Sequence, residues 1–540
     1  MNFESEGKKQ VIKDFIQKYW IPIVGFIVAI AVVVSLIGIF RDKEENEIVD
    51  DGYKNQSEIY IGANKLDTPN PIISASEDTY YISKLIYDGL FEFSDDFNVV
   101  PKLVDSYTVD TEKGVIEFNI KPGVSFHDGK ALDIEDIKFT VNVIKSYGEE
   151  GLFYSKASKI RTVTTGDNGK IKIIFSNSED AALDNLTFPI VSKNKSISAF
   201  INDKESVPLG TGKYKCESYD SIKELKLVVN EDYFDTKATK NVIVQFIPDK
   251  STMANLVKVG NFTGYYQKGT QRKTDVANNN FKMYDFSSNE VDFIYFNVEK
   301  ELLAEKNVRK ALAYAIDIEE ILKNSYLNDG VISDTVYYPN FMGIKDEDSE
   351  YKVNKDKAKS LLKKSEIVDE DSNGKLEYGD EKELTLNILV NSDNSNRVAA
   401  SKEIQKSLTG LGFSVVVNSL PWEEYVTAIS EKEYDILITG FAIEEGYDLR
   451  SFFDGSNSWG YENEELLNKA KELEKLHMSQ DYPKYYEELK KALLEELPYY
   501  SICYKNMSII GTQTFEMNGN ATFNNIYKSI DSWEWSKLEK

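Results

Sequence analysis

Oxygen-bearing side chains recur at alternate positions in one short acidic stretch of the chain. Loop positions 1, 3 and 5 hold aspartate or asparagine, position 6 is glycine, position 8 is hydrophobic and position 12 is aspartate. This spacing is similar to that of an EF-hand loop, whose oxygen atoms surround a calcium ion. Position 12 lacks the usual glutamate, so an ordinary acidic turn is the favoured interpretation and calcium is the alternative. The calcium ligands would be Asp369, Asp371, Asn373 and Asp380.

The other residues that could do chemistry do not form an enzyme motif. Gly210-Thr211-Gly212-Lys213 is similar to part of a phosphate-binding loop, but that pattern also requires a glycine in place of Val207 and a hydroxyl residue in place of Tyr214. The two histidines, His127 and His477, have no nucleophile motif beside them. Two histidines are also too few for a His-rich nickel or zinc site. We therefore predict a protein that is not an enzyme and holds no resident cofactor.

Composition narrows the class of protein further. The net charge of −26 argues against a nucleic-acid partner, because phosphate binding needs clustered cations. A chain of 540 residues is too long for one hydrophobic core and predicts two or three domains. The sequence leaves open whether Cys216 and Cys503 pair, and we favour two buried thiols.

Turn residues mark the elements that must position any site. His127-Asp128-Gly129 lies between a strand-like segment, Val115 to Ile120, and a helix-like segment, Asp133 to Ile144. Asp133 with Asp136 three residues later predicts a capped helix start. Strand-like and helix-like segments continue to alternate along the body, which predicts α/β domains. A structural corner is the simplest interpretation of the His127 segment.

The N-terminus contains an apolar run, Tyr19 to Phe40, that is long enough to cross a bilayer at about 1.5 Å per helical residue. Lysines precede the run and mixed charges follow it, so residues 1–18 should be cytoplasmic and the body outside. A cleaved signal peptide is the alternative, although no Ala-x-Ala site follows the run. We predict a single-pass membrane anchor at residues 19–40 and a stalk at residues 41–56.

Eight short blocks, taken in order, resemble those of the extracytoplasmic solute-binding proteins of family 5, the peptide and nickel receptors of ABC importers. Each block is weak alone, but eight in the family's order are specific. The blocks are Leu66 to Pro69 with Leu85 to Phe91, Pro101 to Tyr107, Gly123 to Leu132, Pro208 to Tyr214, Asn230 to Phe234, Asn307 to Asp317, Trp422 with Tyr434 to Phe441, and Asn457 with Gly460-Tyr461.

The resemblance implies an α/β, two-lobed periplasmic-binding-protein-like fold of type II, from the large cluster with an extra subdomain, after the N-terminal transmembrane helix. The chain would cross between the lobes near Phe293 to Asn297 and near Tyr499 to Cys503, and hinge closure would bury the ligand. The implied parts are lobe I at residues 57–83, 205–294 and 499–535, an insertion subdomain at 84–204, and lobe II at 295–498.

The resemblance also implies ligand contacts after the strand-like segment Tyr434 to Thr439, at the end where α/β sheets place ligands. In peptide-binding members a Trp-x-x-Asp there supplies the carboxylate for the peptide's α-ammonium group. Phe441 replaces the tryptophan and Glu444 takes the aspartate position, unless Glu444 is a solvated loop acid. Trp422 matches a pocket-lining tryptophan, with a packing role as the alternative. The predicted ligand-binding residues are Glu444, Trp422, Phe441, Ala442, Glu445, Asp448 and Tyr461, and looser candidates for aromatic walls are Tyr265, Tyr266, Tyr447 and Trp459.

The implied function is that of a membrane-anchored extracytoplasmic receptor, which captures oligopeptides by hinge closure and delivers them to the permease of an ABC importer. Main-chain groups would hold the peptide backbone, as in strand addition. The alternatives are a receptor for another solute, such as a metal chelate or an opine, and a membrane-anchored sensory or scaffold subunit. The expected partners are a peptide, the permease and the membrane, and not nucleic acid.

Overall fold

A computed structural model describes residues 57–270, 272–273, 281–334, 337–344, 349–379, 383–443, 446, 448–476 and 481–536. The predicted cytoplasmic tail, anchor and stalk lie outside the described residues. Within the described part of the chain, no helix combines the length and apolar character needed to cross a membrane. From Ser57 onward, the chain other than residues 259–261 forms one compact unit.

Strands are distributed along the whole of this unit. In chain order they are β1 (Glu58–Asn64), β2 (Phe91–Phe93), β3 (Val99–Pro101), β4 (Val104–Asp110), β5 (Val115–Ile120), β6 (Ile160–Thr165), β7 (Ile171–Phe175), β8 (Tyr214–Asp220), β9 (Glu224–Val229), β10 (Asn241–Ile247), β11 (Gly264–Lys268), β12 (Phe281–Phe296), β13 (Gly330–Val331), β14 (Thr385–Asn391), β15 (Ser414–Leu420), β16 (Ile436–Ala442), β17 (Tyr499–Thr512), β18 (Glu516–Met517) and β19 (Trp533–Glu534).

Helices alternate with these strands, most densely in the second part of the chain. In chain order they are α1 (Glu77–Ile86), α2 (Ile134–Tyr147), α3 (Tyr154–Ala157), α4 (Ile197–Asn202), α5 (Met253–Lys258), α6 (Glu301–Ala304), α7 (Lys306–Ala315), α8 (Ile318–Tyr326), α9 (Lys355–Lys364), α10 (Ser395–Thr409), α11 (Trp422–Ser430), α12 (Glu464–Lys475) and α13 (Tyr482–Glu496).

One large sheet organises the unit, in the order β15-β14-β16-β12-β17-β11-β1-β10-β9-β8, with β13 paired to β17 off this path. Its two long central strands, β12 and β17, run antiparallel from Phe281 opposite Thr512 to Tyr295 opposite Tyr499. We call them the crossing strands, because β12 also pairs with β16 at one end while β17 pairs with β11 at the other. A register shift between Ser287 and Val291 interrupts the ladder where the partners change.

The crossing strands divide the unit into two halves. The first half comprises the described residues of 57–287 and 505–536, with a separate antiparallel sheet in the order β4-β5-β7-β6 and the β2-β3 hairpin. The second half comprises the described residues of 291–504, where β14 pairs in parallel with both β15 and β16. The carboxyl ends of these three parallel strands therefore lie at one edge.

The His127 corner docks onto the loop before β8 and connects two parts of the first half. The Asp133 side chain caps α2 and forms a capping box with Asp136, as the sequence predicts. The His127 amide donates to the Gly210 carbonyl at 2.9 Å. One ring nitrogen, Nδ1, lies 3.4 Å from the Gly210 amide, and Nε2 lies 3.1 Å from the Gly212 carbonyl oxygen. Burial lowers the pKa of His127 to about 4, so the ring is neutral at pH 7.

Two local expectations need correction. Apolar residues at helical spacing from Val308 to Asn324 predict one amphipathic helix. The segment instead forms the two helices α7 and α8, because Ile316 is extended and the Asp317 side chain caps a new helix at the Glu320 amide. The cysteines are unpaired as favoured, but only Cys503 is buried, whereas Cys216 is half-buried on β8.

Candidate functional site

The carboxyl end of β16 is fixed to β12. Phe441 lies opposite Val291 in the ladder, and Ala442 lies opposite Glu290. The next residue, Ile443, donates its amide to the Asn289 carbonyl at 2.9 Å, and the Asn289 side chain donates to the Ile443 carbonyl at 2.6 Å. The strand end at Ile443 therefore lies close to the register shift in the crossing strands.

An apolar cavity of about 30 Å³ lies beside this strand end. Because a water molecule needs roughly 10–15 Å³ of such volume, the cavity has room for about two waters and not for a peptide. Asp334 and Ser501 are the polar side chains among its residues. The cavity is lined by Val291, Phe293, Asp334, Phe441, Ile443, Phe452, Leu493, Tyr499, Ser501 and Tyr504.

Aromatic rings from three segments surround Phe441. Its ring centroid lies 5.3 Å from that of Phe293, 4.9 Å from that of Phe452 and 5.9 Å from that of Trp459. The Trp459 ring nitrogen donates to the Tyr499 hydroxyl at 3.1 Å. We call this side of the crossing strands the aromatic face. It consists mainly of apolar rings that pack against one another.

Tyr461 is also part of the aromatic face. Its ring lies 6.2 Å from that of Tyr295 and 5.4 Å from that of Tyr499. Burial raises the pKa of Tyr461 to about 12, so its hydroxyl stays protonated at neutral pH. The structure therefore brings Tyr461, Trp459 and Phe441 together, as a packed cluster rather than as an open wall.

The other predicted site residues lie elsewhere. Trp422 begins α11 with 58% of its surface exposed and is not among the residues that line the cavity. Tyr265 and Tyr266 are buried in the first half, where the Tyr266 hydroxyl donates to Asp78 at 2.7 Å. Glu444, Glu445 and Tyr447 lie outside the described residues.

Asp448 belongs to a group of charges that joins the two halves. Its carboxylate accepts hydrogen bonds from the Arg450 side chain at 2.8 Å and amide at 2.9 Å, and Lys159 of the first half lies 3.9 Å away. Burial opposes ionisation, but the bonds from Arg450 prevail and lower the pKa of Asp448. Arg450 also lies 3.4 Å from buried Glu474, whose pKa is raised to about 7 by burial and by Asp448. Asp448 is thus already engaged by two cations.

The opposite side of the crossing strands carries a buried ionic cluster that sequence analysis missed. Asp292 on β12 is fully buried and accepts from Arg397 of α10 at 2.8 Å and from the Tyr326 hydroxyl at 2.8 Å. Lys505 on β17 lies 3.2 Å from the same carboxylate. This arrangement requires glycine at position 440, because a Cβ there would collide with the Asp292 and Arg397 side chains. We call this side the charged face.

The acidic stretch at residues 369–379 forms a compact turn. Asp369 accepts from the Asn373 and Gly374 amides at 3.0 Å each, and Asp371 accepts from the Asn373 amide at 3.0 Å. Asp380 lies outside the described residues, and no group of three metal-ligating side chains converges elsewhere in the described chain. The carboxylates are used here as turn acceptors, and calcium binding stays a prediction.

Comparison of the sequence with known proteins gives one family and several full-length relatives. The description "bacterial extracellular solute-binding proteins, family 5", middle region, matches residues 98–462. The oligopeptide-binding protein AppA of Bacillus subtilis (strain 168) is 25% identical over 491 residues, which cover 87% of this chain and 89% of that protein. The dipeptide-binding protein of Escherichia coli (strain K12) is 24% identical over 457 residues, which cover 76% and 83%.

Solved structures share the fold at low sequence identity. AppA from Bacillus subtilis in complex with a nonapeptide gives a TM-score of 0.59 at 24% identity, over 89% of this chain and 99% of that one. NikZ from Campylobacter jejuni in complex with Ni(L-His) gives 0.65 at 20% identity, over 89% and 99%. The periplasmic murein tripeptide-binding protein MppA, in its unliganded open form, gives 0.76 at 15% identity, over 90% and 98%. At these identities the likeness shows the fold alone.

Proposed function

The chain belongs to the bacterial extracellular solute-binding proteins of family 5, the substrate receptors of ABC importers, and we propose that its substrates are oligopeptides. The α/β, two-lobed solute-binding fold expected from the sequence is confirmed by the solved structures that the chain resembles. Members of this family are receptors, so the chain is not an enzyme. The family also makes the body extracytoplasmic.

The observation that carries the peptide proposal is the aromatic face beside the end of β16. Once the two halves separate, Phe441, Phe293 and Phe452 would offer an apolar surface that tolerates varied side chains, as a receptor for peptides of mixed sequence requires. Relatives named for oligopeptides and dipeptides support the same substrate class. The strand end at Ala442 would supply main-chain groups for a peptide backbone, since those of Ile443 are bonded to Asn289.

A peptide can reach this surface only if the two halves move apart, because the cavity has room for about two waters. We propose that the halves correspond to lobes I and II and that the motion is a hinge at the register shift in the crossing strands. Boundaries near residues 294 and 499 fit this arrangement, and the insertion at residues 84–204 would move with lobe I.

Within the site, we assign the peptide's α-ammonium group to Glu444. This residue directly follows Ile443, whose main chain is bonded to Asn289 beside the cavity. A carboxylate and an ammonium group that are both desolvated form one of the stronger polar contacts. Phe441, Ala442 and Tyr461 would form the surrounding wall, with Trp422 reaching the ligand from the edge of lobe II. Glu445 and Asp448 are the alternatives, although Asp448 is already bonded to Arg450.

We further propose that residues 19–40 anchor the receptor in the cytoplasmic membrane with residues 1–18 inside the cell. The receptor would then pass its peptide to the permease of an ABC importer while it stays attached to the same membrane. N-terminal sequencing of the mature protein tests the anchor, because a start beyond residue 40 would show a cleaved signal peptide instead.

Native mass spectrometry of the full chain, purified in mild detergent without denaturation, tests the substrate class. We expect an envelope of peptide masses that disappears after partial unfolding. A single bound non-peptide mass would contradict the peptide proposal.

Glu444→Gln tests the ammonium contact, and Glu445→Gln, at the alternative ligand, shows which of the two carboxylates makes it. Removal of a desolvated charge should weaken binding of free-amine peptides at least tenfold, which corresponds to about 1.4 kcal/mol. N-acetylated peptides should lose nothing further in the variant, and titration calorimetry measures both. If the variant lost equal affinity for acetylated and free-amine peptides, the assignment of Glu444 to the ammonium group would be wrong.

A receptor for a metal chelate is the second candidate, because NikZ, which was solved with Ni(L-His), shares the fold. A chelate carries its own ligands, so a protein needs few metal-binding side chains to hold it. The same mass spectra distinguish the two candidates, since a chelate gives one discrete mass and a metal signal in elemental analysis.

A further inference from the structure

A short loop of the second half, Tyr337–Ile344, is attached to its own half by stacked rings. The Tyr337 ring stacks on Phe341 with a centroid distance of 3.9 Å and an interplanar angle of 4°. On its other side Tyr337 stacks on Tyr486 of α13 at 5.7 Å and 27°. Both Tyr337 and Phe341 are buried. The loop is therefore held on α13 by apolar contacts within the second half.

Tyr338 points from this loop to the first half. Its ring lies 4.5 Å from Phe97 at 63° and 4.6 Å from Phe523 at 72°, an edge-to-face arrangement with both rings. Two residues further along, the Asn340 side chain donates to Asp96 at 3.4 Å. Contact with the first half is thus made by Tyr338 and Asn340, whereas Tyr337 makes the contact with α13.

The surface that receives Tyr338 is built independently of the loop. Phe97 lies in the turn of the β2-β3 hairpin, where it adopts a left-handed conformation with φ of 58°. Its ring stacks on Phe523 of the C-terminal segment at 5.1 Å and 21°. The hairpin and that segment are joined again at Asp95, which accepts from Asn520 at 2.9 Å and from Lys528 at 2.5 Å. The receiving pair of rings is therefore also held by contacts within the first half.

We propose that residues 337–344 form an aromatic clasp that fastens the two halves together when the receptor closes, with Tyr338 as its latch. This inference rests on the proposed hinge closure. Asp334, which lines the cavity, precedes the clasp by three residues, so the clasp lies on the aromatic side of the crossing strands. If the halves separate at Tyr338 when the receptor opens, this contact favours the closed form and raises the affinity for ligand without touching it.

A designed disulfide tests the clasp directly. A Cβ built on Gly343 would lie 3.9 Å from the Asp96 Cβ, within the 3.5–4.5 Å typical of disulfides. We expect Asp96→Cys with Gly343→Cys to cross-link on oxidation, and each single variant to serve as a control. Small-angle X-ray scattering should show that the ligand-free protein expands when reduced and stays compact when oxidised. If the oxidised protein expands as much as the reduced one, or if no cross-link forms, the clasp proposal is overturned.

A second pair of variants covers the case in which cysteine at Gly343, where φ is +69°, disturbs folding. Tyr338→Ala removes the latch. Tyr351→Ala removes a buried tyrosine of the second half that contacts Tyr314 and Tyr500 of the same half. For a randomised pool of free-amine nonapeptides, Tyr338→Ala should weaken binding about tenfold and expand the ligand-free protein, whereas Tyr351→Ala should do neither. Equal effects of the two variants would overturn the proposal.

The scattering measurement needs no ligand, so it separates this inference from the proposed substrate. If the wild-type protein does not bind the peptide pool but the cross-link still prevents expansion, the clasp proposal stands and the peptide proposal fails. If peptides bind and the cross-link changes neither expansion nor the rate of peptide release, the clasp fails and the peptide proposal stands.

Discussion

The two faces of the crossing strands differ in the kind of contact they make, although the residues concerned are neighbours on one strand. On the charged face, Asp292 is held by Arg397, Lys505 and Tyr326 through directional bonds that fix the strands to α8 and α10. On the aromatic face, Phe293 contacts other rings, which tolerate small shifts in position. The alternation of side chains along β12 separates the two environments by a single residue. A pivot requires the first kind of contact and a surface for varied ligands requires the second.

The largest expected effect comes from breaking the charged face. Asp292→Ala leaves Arg397 and Lys505 without their shared carboxylate in a buried position, which should lower the free energy of unfolding by about 4 kcal/mol. Asp292→Asn keeps the shape and one acceptor and should cost less. Urea denaturation of both variants measures the difference. A loss below about 1 kcal/mol for the alanine variant would show that the cluster does not fix the pivot.

Acid should destabilise the folded protein through His127. The pKa of His127 is about 4 in the folded protein against 6.5 in a model peptide, so the unfolded state binds more protons between these values. Stability should therefore fall as the pH drops from about 6.5 through 4, by up to about 3 kcal/mol. Urea denaturation of the wild type at a series of pH values measures this fall.

His127→Gln separates the His127 contribution from that of the carboxylates. Glutamine cannot titrate and keeps an amide that can reach the Gly210–Gly212 loop, so this variant should lose the pH dependence between 6.5 and 4. If its stability curve keeps the wild-type slope in this window, the sensitivity belongs to other groups.

The aromatic face should tolerate change better than the charged face. Phe441→Ala removes contacts with Phe293, Phe452 and Trp459 but leaves no charge unpaired, so we expect a loss of about 2 kcal/mol in unfolding free energy. Binding of the nonapeptide pool should also weaken. Phe441→Trp, which keeps an aromatic ring at this position, should keep both properties close to wild type. A destabilisation by Phe441→Ala as large as that by Asp292→Ala would remove the contrast between the faces.

Features set by neighbouring residues could be predicted from the sequence, whereas contacts between distant residues could not. The α2 start was predictable because Asp133 and Asp136 are three residues apart, and Val115–Ile120 was predictable from its strand-like pattern. Asp292 and Arg397 are separated by 105 residues, and no local pattern marks such a pair. The break at Ile316 was missed because apolar spacing continues through it. Phe441 and Tyr461 were proposed as ligand contacts from family motifs, and that role stays a prediction, whereas the clasp residues lie in no such motif.

The smallest expected effect on stability is that of Trp422→Ala. This variant separates a role in ligand binding from a role in packing most clearly. With 58% of its surface exposed, Trp422 contributes little to the packed core, so Trp422→Ala should change the unfolding free energy by less than about 0.5 kcal/mol. If Trp422 reaches the ligand from the edge of lobe II, the same variant should weaken binding of the nonapeptide pool about tenfold. Calorimetry and urea denaturation on one preparation separate the two properties. Val416→Ala, at an exposed site on the neighbouring edge strand β15, is the control. An unchanged affinity in Trp422→Ala would confine the ligand surface to the residues around Phe441.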